Sequence, residues 1–220
     1  MNSFDNMKQL EDEMCSTIKV LLTSAIKKNG SAKILLSGGG TPKGLYNKLS
    51  HLKLNWRNIE IGLVDERFVD AKSLSSNERM IRETLLINEA KNASFTGMVF
   101  DPLDYQNNLN IAKINYQKFV GSDVLILGMG GDGHTASIFP NDKASVRAID
   151  DSKASLINTN APSDPKLRIT LSKAFITTCK HVYLMFSGDE KKSVFMSSEL
   201  KNYPISNFKE KLEMVYFAKN

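Results

Sequence analysis

The 220-residue sequence predicts an α/β fold: a mostly parallel sheet with helices on both faces, in a single domain spanning residues 1–220. Three observations predict it. Short apolar runs of strand length alternate with segments of helical period along the chain, the pattern of strand–helix–strand crossovers. The runs "ILL" at 34–36 and "VLIL" at 124–127 are apolar throughout, as strands covered on both faces are. The length suits one well-buried core, and no repeat, low-complexity segment or Pro/Ser linker divides it.

The elements follow in order. Met7, Leu10, Met14, Ile18, Leu21, Leu22 and Ala25 recur three and four residues apart, which makes an amphipathic helix ending near Gly30. "AKILLSGGG" is a buried strand running into glycine. "TPKGLYNKLSHL" is then a helix with Thr41 as N-cap and Pro42 at the first helical position, where a missing N–H costs little. "IEIGLVDER" reads as a second strand, and "SNERMIRETLL" as a helix opened by Ser76 or Asn77. "YQNNLNIAKINYQKFV" is helical by period, and "SDVLILG" is a third strand. After "RITLSKAFI" come the strand "HVYLMFSG", the helix "DEKKSVFMSSEL" and a terminal strand "LEMVYFA". Residues 140–165, with Pro140, Pro162 and Pro165, form the loosest stretch and read as a surface excursion.

Composition narrows the function. Hydrophobic residues at 41% and charged residues at 24% describe an ordinary soluble globule. A net charge of +5 suits an anionic small molecule, while no basic run or aromatic–basic alternation marks a nucleic-acid surface. Cys15 and Cys179 are too few for a disulfide framework or a CxxC metal pair, so a reducing compartment is expected. The opening "MNSFDNMKQLEDEMC" lacks an apolar core of signal-peptide type, and no apolar run approaches ~18 residues. The expectation is a cytoplasmic protein with no membrane partner.

In open α/β sheets, ligands sit beyond the carboxyl ends of the strands. There the sequence concentrates its unusual residues: Ser37–Thr41, Asp65–Arg67, Gly128–His134 and the pair Ser187-Gly188. In "SGGGTPKG", Gly38, Gly39 and Gly40 leave backbone N–H groups open to an anion just before a helix N-terminus, and Ser37 and Thr41 add hydroxyls. The GK[ST] ending of a Walker loop is missing. "GMGGDGH" matches G-x-G-x-x-G superficially. A dinucleotide site needs a sustained helix after the third glycine, and Pro140 arrives seven residues after Gly133. His134 is the candidate general base, because histidine titrates near neutrality. Asp132 beside it has two available roles: fixing the imidazole tautomer, or capping a short helix. His51 and His181 read as structural. In "DERF", Arg67 offers planar donors to an oxyanion or a phosphate, and Asp65 and Glu66 either touch substrate or hold Arg67. Arg168 and Lys191 are further candidate anion ligands.

Taken together, "LSGGGTPKGLY", "VDERFV", "SNERMIRETLL", "DVLILGMGGDGHTASIFP", "RITLSKAFI" and "GDEKKSVF" resemble the 6-phosphogluconolactonase family, within the wider glucosamine-6-phosphate isomerase/deaminase superfamily. The resemblance runs through nearly the whole chain in order. The deaminase branch carries Asn-Glu-Pro after its Asp-Gly-His and Asp-Glu-Tyr in place of Asp-Glu-Arg. This chain has Phe139 where that glutamate falls, and Arg67 for the tyrosine. It also carries Asp70 where many lactonases have proline, which is expected to change a loop and not the chemistry. The resemblance implies a modified Rossmann-like fold and cofactor-free, metal-free hydrolysis of a phosphosugar lactone. It implies His134 as general base, Arg67 near the lactone carbonyl, and the 38–41 loop, Arg168 and Lys191 at the phosphate. A monomer or weak homodimer is expected. Two rivals remain at this level. An isomerase or deaminase would need a second acid/base, for which Asp65 is available; a non-catalytic sugar-phosphate or nucleotide sensor would keep the pocket alone.

Overall fold

The computed structural model describes residues 1–219. Its main sheet has seven strands: β1 (Asn2–Phe4), β2 (Ala32–Leu36), β3 (Ile59–Leu63), β5 (Ser94–Thr96), β6 (Val124–Leu127), β9 (His181–Ser187) and β10 (Met214–Ala218). Their order is β1-β10-β9-β6-β2-β3-β5, and every neighbouring pair is parallel. A second, antiparallel sheet joins β4 (Asp65–Arg67), β8 (Leu167–Leu171) and β7 (Leu156–Asn160). The α-helices are α1 (Met7–Asn29), α2 (Lys43–Ser50), α3 (Asn77–Thr84), α4 (Tyr105–Tyr116), α5 (Lys143–Asp150), α6 (Lys173–Thr178) and α7 (Asp189–Met196).

The mostly parallel sheet is as the alternation predicts. α1 buries Leu10, Met14, Ile18, Leu22 and Ala25, the expected stripe, and ends at Gly30 in the left-handed conformation with φ 78°. Four differences have local causes. Helix α2 begins at Lys43, with Pro42 and not Thr41 at the cap position and no side-chain cap. "IEIGLVDER" is two strands, because Val64 changes sheets: its N–H donates to Leu36 O, and its carbonyl accepts from Leu171 N. The charged Asp65–Arg67 thereby leaves the doubly covered sheet for the small one. The 140–165 excursion is ordered; Asp142 caps α5, and β7 pairs with β8. The three-residue strands β1 and β5 are too short to register as a pattern. The Asp70 carboxylate accepts from Lys72 N at 2.7 Å within a turn.

The chain runs from β2 outward through β3 to β5, then returns to β6 on the other side of β2 and continues to β9 and β10. β2 and β6 therefore flank the point where strand order reverses, and the loops leaving their carboxyl ends diverge to open a crevice.

Candidate active site

A cleft of about 260 Å³ occupies that crevice. Its wall contains Ser37 to Pro42 from the β2 loop, Gly128 to Gly130 and His134 from the β6 loop, Asp65 and Arg67 from β4, Asn77, and Lys191. Ser37 is a structural staple and not a free ligand. Its hydroxyl donates to Ile126 O at 2.8 Å and accepts from Gly128 N at 3.3 Å, so it ties the two diverging loops together. Gly39 has φ 95°, which favours glycine, and no atom stands near the place a Cβ would take at Gly39 or Gly40. Their backbone is open to a ligand.

Helix N-termini sharpen the electrostatics. α1, α3, α4, α5 and α6 are capped by Asn6, Ser76, Asp104, Asp142 and Ser172 respectively. α2 and α7 have no side-chain cap, and Pro42 at the start of α2 and Lys191 in the first turn of α7 border the cleft, as does Asn77 at the start of the capped α3. The free N–H groups and dipole ends of α2 and α7 favour negative charge there. Lys191, in the first turn of α7, forms no salt bridge among the described residues and adds a full positive charge.

Opposite lies His134. Its Nδ1 stands 2.5 Å from Asp132 Oδ1, which also accepts the His134 backbone N–H at 3.1 Å. An ionised carboxylate only accepts, so Nδ1 carries the hydrogen and Nε2 is left with its lone pair. Nε2 has no hydrogen-bond partner among the described residues, and the side chain is one-third exposed. Burial raises the Asp132 carboxyl, but the hydrogen bonds and charge of His134 outweigh it and hold Asp132 below its usual value. No helix follows His134; Thr135 bridges to Ile138 instead, which leaves Asp132 the orienting role and removes the capping one. The turn is closed by Gly130 N to His134 O and Gly133 N to Gly130 O, with Gly133 at φ 77°. Phe139 packs against the imidazole, ring centroids 4.9 Å apart.

The third wall is cationic. Arg67 and Arg168 are direct partners across β4 and β8, and opposed residues in an antiparallel pair share a face. Arg67 Nη1 donates to Ser75 O at 2.6 Å, and Arg168 lies over the Phe139 ring at 5.9 Å. Each Nε is buried without a partner among the described residues. Burial first, then the neighbouring Arg67 charge, push Arg168 below the usual guanidinium value, against the pull of Asp65 and Glu66. Arg168 does not line the cleft with Lys191; the structure sets it beside Arg67.

The carboxylates of "DER" divide their work. Glu66 is 1% exposed and faces away from the cleft: it accepts Arg67 N, Asn77 N, Glu78 N and Ser76 Oγ, joining β4 to the start of α3. Asp65 does line the cleft. Ser137 Oγ donates to its Oδ2 at 2.5 Å, and Oδ1 has no donor among the described residues. Sequence reasoning missed Asn77, Met129, Ala136 and Met185 in the wall. Asn77 was visible as a helix-opening residue, but nothing local says that its side chain turns toward the β2 loop.

The family model for "Glucosamine-6-phosphate isomerases/6-phosphogluconolactonase" matches residues 5–216. A 6-phosphogluconolactonase of Neisseria meningitidis serogroup B is 35% identical over 211 residues, 93% of this chain and 91% of the relative. One from Helicobacter pylori J99 is 32% identical over 224 residues, 99% and 97% of the two chains. Among solved structures, a 6-phosphogluconolactonase from Shewanella baltica superposes with a TM-score of 0.90 at 33% identity, covering 99% of this chain and 96% of that one.

Proposed function

The chain belongs to the glucosamine-6-phosphate isomerase/6-phosphogluconolactonase family, and from that premise we propose that it hydrolyses 6-phospho-D-glucono-1,5-lactone to 6-phospho-D-gluconate, the second step of the oxidative pentose phosphate pathway, with His134 as general base. The observation that carries the mechanism is the Asp132–His134 pair, which presents an unpartnered Nε2 to a cleft with an anion-favouring end. Nε2 takes a proton from water as the water oxygen bonds to C1 of the lactone. The carbonyl electrons move onto oxygen, and that negative charge develops toward Arg67. Collapse of the intermediate breaks the C1–ring oxygen bond, the ring oxygen takes the proton back from His134, and the new acid ionises. General-base catalysis contributes on the order of 10²–10⁴-fold and an oxyanion donor about 10²–10³.

The phosphate anchors the other end. Gly38 to Thr41, the uncapped start of α2, and Lys191 supply backbone donors and charge, each charge-assisted contact being worth about 1.5–3 kcal/mol. Asp65 Oδ1 is an acceptor for sugar hydroxyls. The pairing of Arg168 with Arg67 favours the carbonyl end of the substrate for Arg168 over the phosphate end. Phe139, packed on His134, leaves no second acid/base where a deaminase would have its glutamate. We propose that it acts as a single domain, as a monomer or weak homodimer. No helix among the described residues is long and apolar enough to cross a membrane. The setting we propose is the cytoplasm, with neither nucleic acid nor cofactor as partner.

The test is blank-subtracted acid release from freshly generated lactone at pH 7, for the wild type and His134→Ala. The reading expects rapid wild-type hydrolysis and a kcat at least 10²-fold lower in the variant. Equal rates would discard His134 as base, and no acceleration by the wild type would discard the lactonase.

A further inference from the structure

Asn77 is a polar side chain on the cleft wall to which the mechanism above gives no role. It is 2% exposed, and its backbone N–H is fixed by Glu66 Oε1 at 2.8 Å. The orientation of its carboxamide is determined by chemistry. Nδ2 stands 2.9 Å from Asp65 O, and because a backbone carbonyl only accepts, the amide nitrogen must lie on that side. Oδ1 therefore points the other way, over Gly38, where a Cβ would fall 1.8 Å from it. A side chain at position 38 would take the place of this oxygen, so the first glycine of the loop makes room for Asn77.

Oδ1 accepts no hydrogen bond from the described residues. Nor is it sealed from solvent: the buried side-chain atoms without a partner among those residues are Arg67 Nε and Arg168 Nε alone. What remains is an acceptor held rigidly and open toward the cleft, between the anion loop at Gly38 and the strand that carries Asp65 and Arg67. The lactone carbonyl, the ring oxygen and an ionised phosphate all lack a hydrogen to give. The substrate's only donors are its ring hydroxyls.

We propose that Asn77 Oδ1 accepts a hydrogen bond from a ring hydroxyl of the substrate and so determines specificity for the hydroxylated lactone. The proposal rests on the lactonase reading. A site built to pair a hydroxyl discriminates against the analogue lacking it, because the acceptor is then left unpaired.

The experiment measures kcat/KM of the wild type and Asn77→Ala on 6-phosphogluconolactone and on its 2-, 3- and 4-deoxy analogues, each with its own blank. One deoxy analogue is expected to react about tenfold more slowly than the parent with the wild type. With Asn77→Ala, that analogue and the parent should react at the same rate. A variant that slows all four substrates in parallel, keeping the wild-type ratio, would overturn the proposal in favour of a structural or water-positioning role. Equal wild-type rates on all four would overturn it too. If circular dichroism shows Asn77→Ala unfolded, Asn77→Ser, which keeps a polar residue at the helix start but cannot reach as far, is read in the same way. Failure of the wild type on the parent lactone would instead sink the lactonase reading itself.

Discussion

The imidazole of His134 lies against the bare Cα of Gly130. A Cβ built there would stand 2.2 Å from both Cε1 and Nδ1 of the ring, and 2.8 Å from Asp132 Oδ1. The second glycine of "GMGGDGH" thus serves the His–Asp pair, and its resemblance to a dinucleotide fingerprint is incidental. Gly133 has a different constraint, a positive φ and close packing against Tyr203. In a Gly130→Ala variant the ring would have to retreat by about an ångström, and a misplacement of that size costs about 10² in rate. The expected outcome is a kcat about a hundredfold lower, with KM and melting temperature little changed. Steady-state kinetics together with a thermal melt checks this. A normal kcat would mean that the imidazole acts from another position. Asp132, held below its usual value by His134, is ionised through the neutral range, so the pair keeps its orientation until the medium is strongly acidic.

At the scale of elements, the junction of β4 and α3 sets the shape of the cationic wall. Glu66 joins them through four donors, which keeps Arg67 and Asn77 at the cleft. Burial nevertheless outweighs those hydrogen bonds and pushes its carboxyl up to about 7 from 4.5. The folded state therefore binds this proton more tightly than the unfolded chain, and ionising Glu66 costs stability. Its contribution is fullest below pH 4.5, falls as pH rises toward 7, and is level above that, a loss on the order of 3 kcal/mol. Urea titrations from pH 4.5 to 8 should show wild-type stability falling more steeply than that of Glu66→Gln by that amount. Parallel curves would mean that the carboxylate is ionised throughout. This junction also marks what was legible in the sequence. α1 could be read because seven apolar positions repeat with helical spacing, and the glycine loops because they sit between recognisable strands and helices. The antiparallel sheet could not be read. β4 has three residues, continues an apolar strand without a break, and pairs with residues a hundred positions away. For the same reason Arg168 could be found as a candidate but not placed, since only the β4–β8 register sets it beside Arg67.

At the scale of the molecule, the cleft is a consequence of strand order. β2 and β6 are hydrogen-bonded neighbours whose following loops turn in opposite directions, and the chain returns through β9 to bring the start of α7, with Lys191, to the same end. Binding energy at the cleft therefore reports on the sheet from β2 to β9, because the groups that contact a ligand are brought together only when the crossovers joining these strands are in place. A ligand that binds only the folded state stabilises it by about 2.7 kcal/mol at a hundred times its Kd. In a protein of this length, 1 kcal/mol raises the melting temperature by roughly 2–4 °C. Saturating 6-phosphogluconate, the product, is thus expected to raise the wild-type melting temperature by roughly 5–11 °C. His134→Ala, which removes the proposed base and leaves the anion end intact, should retain most of that shift. Lys191→Ala should lose the larger part of it, and added salt should weaken it in the wild type, since the attraction is between charges partly open to solvent. A full shift in Lys191→Ala would move the phosphate away from α7 and toward the two arginines with their unpartnered Nε atoms.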